Sequence, residues 1–128
     1  MDTSTAAGTA RAYIEAVGSR DVAAVDNLLA DSLEARVASS TSDKAAWMAA
    51  LERLLPAIVR TDIRDVYENG DHACAVYEFV TNTPAGAVVC AENVHVTDGR
   101  ITDIELVFDS ATFAPVTQAL AERATASV

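Results

Sequence analysis

TDIRDVYENGDHACAVYEFVTNTPAGAVVCAENVHVTDGRITDIELVFD, residues 61–109, is the stretch that decides the fold. Asn69-Gly70, Thr83-Pro84-Ala85-Gly86 and Thr97-Asp98-Gly99 divide it, and each is a tight-turn sequence. The runs between them have strand length and are rich in Val, Ile, Tyr and Phe. Four consecutive antiparallel strands joined by short hairpins are therefore expected over 61–109.

Upstream the period changes to that of a helix. Residues 4–17 carry Ala6, Ala10, Tyr13, Ile14 and Val17 on one side, with Ser4 or Thr5 as cap. Asp21 caps a second, short helix with Val22, Val25, Leu28 and Leu29 on its apolar side. Residues 32–38 alternate as a strand, Leu33, Ala35 and Val37 sharing a face. Ser40 to Ser42 provide loop and cap for a third helix from Asp43, which buries Trp47, Leu51, Leu54, Leu55 and Ile58 and is kinked or ended by Pro56 near its last turn. Ser110 to Leu120 reads as a short closing helix, with Asp109 as its cap. The class is α+β, one domain over 1–128: an antiparallel sheet, mainly 61–109 plus 32–38, packed on three N-terminal helices.

Composition narrows the partners. The net charge is −10 with one lysine, Lys44, and no basic cluster, which argues against nucleic acid and anionic membranes. No apolar run reaches the roughly 18 residues of a membrane span, and the start, MDTSTAAGTAR, lacks the basic and apolar regions of a signal peptide, so a cytoplasmic location is expected. Cys74 and Cys90 fall within strands and read as reduced, buried residues. His72 and His95, the two histidines, show no metal-ligand spacing, and no phosphate-binding glycine loop occurs, so neither a metal nor an organic cofactor is expected.

Two glutamates interrupt otherwise apolar strands: Glu78 in AVYEFV and Glu92 in VVCAENVHV. A buried carboxylate must be neutral, paired or beside a cavity. Hairpin geometry sets their positions. A three-residue loop at Pro84–Gly86 places Thr83 opposite Ala87 and Glu78 opposite Glu92. A three-residue loop at Thr97–Gly99 places Val96 opposite Arg100 and Glu92 opposite Ile104. One face then carries Cys74, Val76, Glu78, Val80, Val88, Cys90, Glu92, Val94, Ile104, Leu106 and Phe108. Two carboxyl groups facing each other in such a wall share protons near neutral pH, as acid–base chemistry requires. A two-residue Asp98-Gly99 turn would instead put Asn93 opposite Ile104 and send Glu92 to the other face, beside Glu105. Asn93, His95 and Arg36 are expected to point outward.

The helix–helix–strand–helix beginning, the four-strand finish and the ending DGRITDIELVFDSATF resemble the SnoaL-like, NTF2-like superfamily. That resemblance spans nearly the whole chain. It implies a cone-shaped pocket between a curved sheet and the helices, and often a homodimer packed through the outer sheet face. ARAYIEAV is similar to the first helix of ketosteroid isomerases, where Tyr13 stands at the oxyanion-hole tyrosine and Glu92 near the protonated acid that completes the hole. Val37 stands at that branch's general base. In the limonene epoxide hydrolase branch, Glu78 matches the general acid, while Leu106, Val76, Ala35 and Val37 stand at other catalytic positions.

Together these readings give a candidate site of Tyr13, Glu78 and Glu92, walled by Trp47, Leu51, Val37, Val76, Ile104, Leu106, Phe108 and Phe113. The expected function is a cofactor-independent acid–base isomerase, cyclase or hydrolase acting on an apolar polyketide-, steroid- or terpene-like molecule. A non-catalytic binder of an apolar ligand is the alternative. An outer face bearing Tyr77, Phe79, Val89 and Val107 is expected to form the homodimer or to recruit a partner.

Overall fold

In the computed structural model, which describes residues 3–126, the order is helix, helix, strand, strand, helix, then four strands and a helix. Helix α1 (Ala6–Gly18) is capped by Thr5, whose side chain accepts from the Gly8 N–H. Asp21 caps α2 (Val22–Leu28) in the same way through the Ala24 N–H. Strand β1 (Leu29–Val37) and the short β2 (Ser40–Ser42) lead into α3 (Lys44–Leu54), capped by Asp43. A single 3₁₀ turn containing Pro56 then releases the chain into β3 (Ile58–Asn69). Strands β4 (His72–Thr81), β5 (Ala87–Thr97) and β6 (Arg100–Phe108) follow, and α4 (Ser110–Ala126) closes the chain. Asp109 caps α4 as expected, accepting from the Ala111 N–H and the Thr112 hydroxyl.

One six-stranded sheet runs in the order β2-β1-β6-β5-β4-β3. Its ladders are antiparallel except between β1 and β6, which run parallel, so the sheet is mixed rather than purely antiparallel. The core lies on one face, beneath α1. Ala73 and Ala75 of β4 and Ala6, Ala10, Ala12 and Ala16 of α1 are all buried; side chains this small let helix and sheet backbones come close. Gly18 is one place of close approach. A Cβ there would collide with Thr61 Oγ1 and come within 2.6 Å of the Thr61 backbone N. Thr61 Oγ1 in turn donates to the Ile14 carbonyl at 2.8 Å, fixing α1 on β3.

Two hairpins differ from the expected lengths. Between β4 and β5 the loop has four residues, Asn82 to Ala85, and Val80 faces Ala87. Thr81 N–H donates to the Gly86 carbonyl and Gly86 N–H to the Thr83 carbonyl, while the Thr81 and Thr83 hydroxyls bond to each other at 2.8 Å. Gly86 (φ 62°) thus closes the ladder instead of sitting in the loop. This odd-numbered register shift turns every β4 side chain over. Ala73, Ala75, Tyr77, Phe79 and Thr81 are buried, whereas Cys74, Val76, Glu78 and Val80 occupy the other, half-buried face.

Between β5 and β6 the loop is the two-residue Asp98-Gly99 turn, both residues at positive φ (52° and 74°). A turn of this kind should by itself expel Glu92 from the core face. A β-bulge prevents that. Val96 pairs with Ile101 but His95 pairs with Asp103, leaving Thr102 as the extra residue. Its hydroxyl donates to the His95 carbonyl at 3.3 Å. The bulge restores Glu92 to the inner face, opposite Leu106 rather than Ile104. No described helix is long and apolar enough to cross a membrane.

Candidate active site

A cavity of about 190 Å³ lies between the inner sheet face and α1, α3 and α4. Helix α1 contributes Tyr13 and Val17, α3 contributes Trp47, Ala50, Leu51 and Leu54, and α4 contributes Phe113. The sheet supplies Val37 from β1, Tyr77 and Phe79 from β4, Cys90 and Glu92 from β5, and Leu106 and Phe108 from β6. Every aromatic residue of the chain except Tyr67 lines this space.

Glu92 is the one carboxylate lining it among the described residues, and it is 2% exposed. The Tyr77 hydroxyl donates to Glu92 Oε1 at 2.6 Å, the short distance typical of a charge-assisted bond. Oε2 has no hydrogen-bond partner among the described residues. Burial drives the Glu92 pKa up from 4.5 to about 7, against the opposing pull of the Tyr77 hydroxyl and then the Tyr13 hydroxyl. Tyr13 therefore stands close enough to act on Glu92's acidity, yet Oε2 remains unpartnered.

Tyr13 is oriented from the opposite side. Trp47 Nε1 donates to the Tyr13 hydroxyl oxygen at 2.9 Å, bridging α3 and α1. With its oxygen accepting from Trp47, the Tyr13 hydroxyl turns its own proton to the Glu92 side, where it lowers the carboxyl's pKa. Burial first, and the Glu92 charge second, hold the Tyr13 and Tyr77 phenols well above their ordinary value. Both are hydrogen-bond donors at any physiological pH. Cys90 is likewise held protonated, its thiol pushed up to about 12 by burial and then by Glu92.

Of the expected site, Tyr13, Glu92, Trp47, Leu51, Val37, Leu106, Phe108 and Phe113 meet around this cavity. Glu78 does not. The four-residue hairpin turns it to the outer face, opposite Val89 and Asp62, where Arg64 approaches it at 3.5 Å. Val76 leaves the wall for the same reason, and Ile104 is fully buried without lining the cavity. The two glutamates are thus not a pair. Tyr77 and Phe79, expected on an outer interface, are inside instead. The signal that could have found them is the pair of small residues Ala73 and Ala75, which are buried on the same side of β4 as Tyr77 and Phe79.

The outer face carries Asn93 and His95 as expected; His95 stacks on His72 with ring centres 4.5 Å apart and meets Asp103 at 3.5 Å. Among the described residues no group of three or more His, Cys, Asp or Glu could hold a metal ion.

Solved structures share this architecture. A protein from Kribbella flavida DSM 17836 is 26% identical with a TM-score of 0.80, over 94% of this chain and 99% of that one. An LEH-like epoxide hydrolase from M. tuberculosis is 20% identical with a TM-score of 0.72, over 94% and 95%. A protein of ketosteroid isomerase-like fold from Catenulispora acidiphila DSM 44928 is 18% identical with a TM-score of 0.70, over 85% and 92%. No curated protein matches the chain. The model of the SnoaL-like domain matches residues 10–104, from within α1 to the middle of β6. With that match covering most of its length and the curved sheet over a helix-lined cavity, the chain belongs to the SnoaL-like family.

Proposed function

We propose that this protein is a cofactor-independent acid–base enzyme acting on an apolar small molecule that carries one carbonyl oxygen. The observation that carries the reading is Glu92 itself: a buried carboxyl with a free oxygen in the wall of an apolar cavity, poised near pH 7. A group tuned to the working pH is what general acid–base catalysis needs, and contributes about 10²- to 10⁴-fold in rate. Glu92 Oε2 takes a proton from the carbon beside the carbonyl. The electron pair moves onto the carbonyl oxygen, where Tyr13 donates its hydroxyl proton in a hydrogen bond. Glu92 returns the proton to carbon, at the same position or one conjugated with it. Tyr77 holds the carboxyl in place through Oε1. A preorganised donor in Tyr13's position is typically worth about 10²- to 10³-fold.

The test is deuterium uptake from D2O at the positions beside the carbonyl of apolar cyclic ketones, followed by NMR. The wild type should accelerate exchange, and Glu92→Gln should reduce the acceleration by at least about 100-fold. Equal exchange by the two proteins would overturn the reading.

One observation favours a second reading, a binding protein without turnover. Glu92 is the only Asp, Glu, His or Lys lining the cavity among the described residues, and the resemblance to ketosteroid isomerases puts Val37 at the position of their base. Under that reading Glu92→Gln preserves or tightens ligand binding and no product forms. A homodimer through the outer sheet face would rest on Tyr67, Val89 and Val107, which are 61%, 47% and 60% exposed.

A further inference from the structure

The cavity has two chemically different ends, and its size limits what can bridge them. Across the sheet, Glu92 lies level with Ala75 and Leu106, and the next inward row holds Tyr77, Cys90 and Phe108. The row beyond holds Phe79 and Val88. Inward rows are two residues apart, about 7 Å of strand, so Glu92 and Phe79 are separated by roughly 13 Å along the sheet. Polar groups are confined to the first part: Glu92, Tyr77, Tyr13 and the Trp47 N–H form one connected cluster. The far part is aromatic. Phe113 packs against Phe108 at 4.9 Å and Phe79 at 6.3 Å between ring centres.

The volume of about 190 Å³ is only modestly above that of an engineered apolar cavity of about 150 Å³ that takes up benzene. It is below the roughly 300 to 1,000 Å³ of pockets that hold drug-sized molecules. A four-ring skeleton exceeds this volume and would have to extend beyond the cavity. Planar, unsaturated ring systems suit the aromatic walls, through offset stacking and edge-to-face contact. A ligand without a polar atom would leave Glu92 Oε2 buried and unpartnered, a costly state that a ligand oxygen relieves by accepting a hydrogen bond from the protonated carboxyl.

From these observations we infer that the ligand is a one- or two-ring, unsaturated or aromatic compound with a single oxygen function at the Glu92–Tyr13 end and its rings among Phe79, Phe108 and Phe113. This deepens the proposed function and rests on it for the site. It narrows the range of polyketide-, steroid- and terpene-like substrates to the small, cyclic end.

Calorimetric titration of the intact protein with three probes tests the inference. The probes are 1-tetralone (two rings and a carbonyl), tetralin (the same rings without oxygen) and a four-ring steroid ketone. Saturable binding of 1-tetralone is expected, with tetralin at least tenfold weaker and the steroid weaker still. Steroid binding equal to or tighter than that of tetralone overturns the size limit. Equal binding of tetralin overturns the role of the oxygen. No tetralone binding by protein that melts cooperatively overturns the inference as a whole. Tight tetralone binding without deuterium exchange removes the catalytic reading and leaves the ligand class standing.

Discussion

Tyr77 and Glu92 are diagonal neighbours on the inner face of β4 and β5, joined by a 2.6 Å hydrogen bond from the phenol to Oε1. The phenol holds the carboxyl at the cavity wall and lowers its pKa. Burial raises that pKa further than the two tyrosines lower it, and the balance falls at about 7. Stability and chemistry both follow from this balance.

The Glu92 pKa is raised in the folded chain, so folding favours its protonated form. Stability from this group is full below its unfolded value of 4.5 and is lost as the pH rises to about 7. The loss over that window is roughly 3 kcal/mol. Glu92→Gln, which keeps an oxygen for the Tyr77 hydroxyl, should remove the dependence. Urea melts at pH 5 and pH 8 should therefore show the variant gaining on the wild type by about that amount at the higher pH. A constant difference would mean that Glu92 titrates alike folded and unfolded.

Tyr13→Phe leaves the Trp47 N–H without its partner and should cost about 1–3 kcal/mol. Trp47→Phe removes the donor and should cost less. In a double-mutant cycle the two should couple by about 0.5–1.5 kcal/mol. Additive losses in denaturant unfolding would dissolve the bridge between α1 and α3.

Glu78→Gln should change little. Its partner Arg64 is half exposed and lies 3.5 Å away, a geometry worth about 0–1 kcal/mol. Stability should stay within about 0.5 kcal/mol of wild type, and ketone exchange should stay within twofold. A hundredfold loss of exchange would return Glu78 to the site.

Gly18→Ala tests the seat of α1. The added methyl meets Thr61 side chain and backbone together, so neither can simply swing aside. A loss of about 1–3 kcal/mol is expected, with a weaker Tyr13–Glu92 site as a consequence. Unchanged unfolding would show that α1 can retreat from β3 freely.

The caps of α1, α2 and α4 and the alternation of β5 were legible because each rests on local chemistry, whereas α3 is capped by Asp43 and not by one of Ser40 to Ser42, which form β2. The inner face of β4 was not. Cys74, Val76 and Val80 are as apolar as Ala73, Ala75 and Phe79, so alternation alone could not choose between them. The choice fell to a loop length, and the paired hydroxyls of Thr81 and Thr83 stabilise a loop one residue longer than glycine placement suggests. Glu92 came out on the correct face for a different reason. The two-residue turn and the bulge at Thr102 shift the register by amounts that together preserve its orientation. Trp47 was legible as an apolar helix position, but its bond to Tyr13 joins residues 34 apart and leaves no mark in either local pattern.

The pKa of Glu92 is the most direct measure of the account. Carbon-13 NMR of the side-chain carboxyl, assigned by its disappearance in Glu92→Gln, should titrate with a midpoint near 7. A midpoint below 5, that of an ordinary solvated glutamate, would contradict a buried carboxyl held in an apolar cavity.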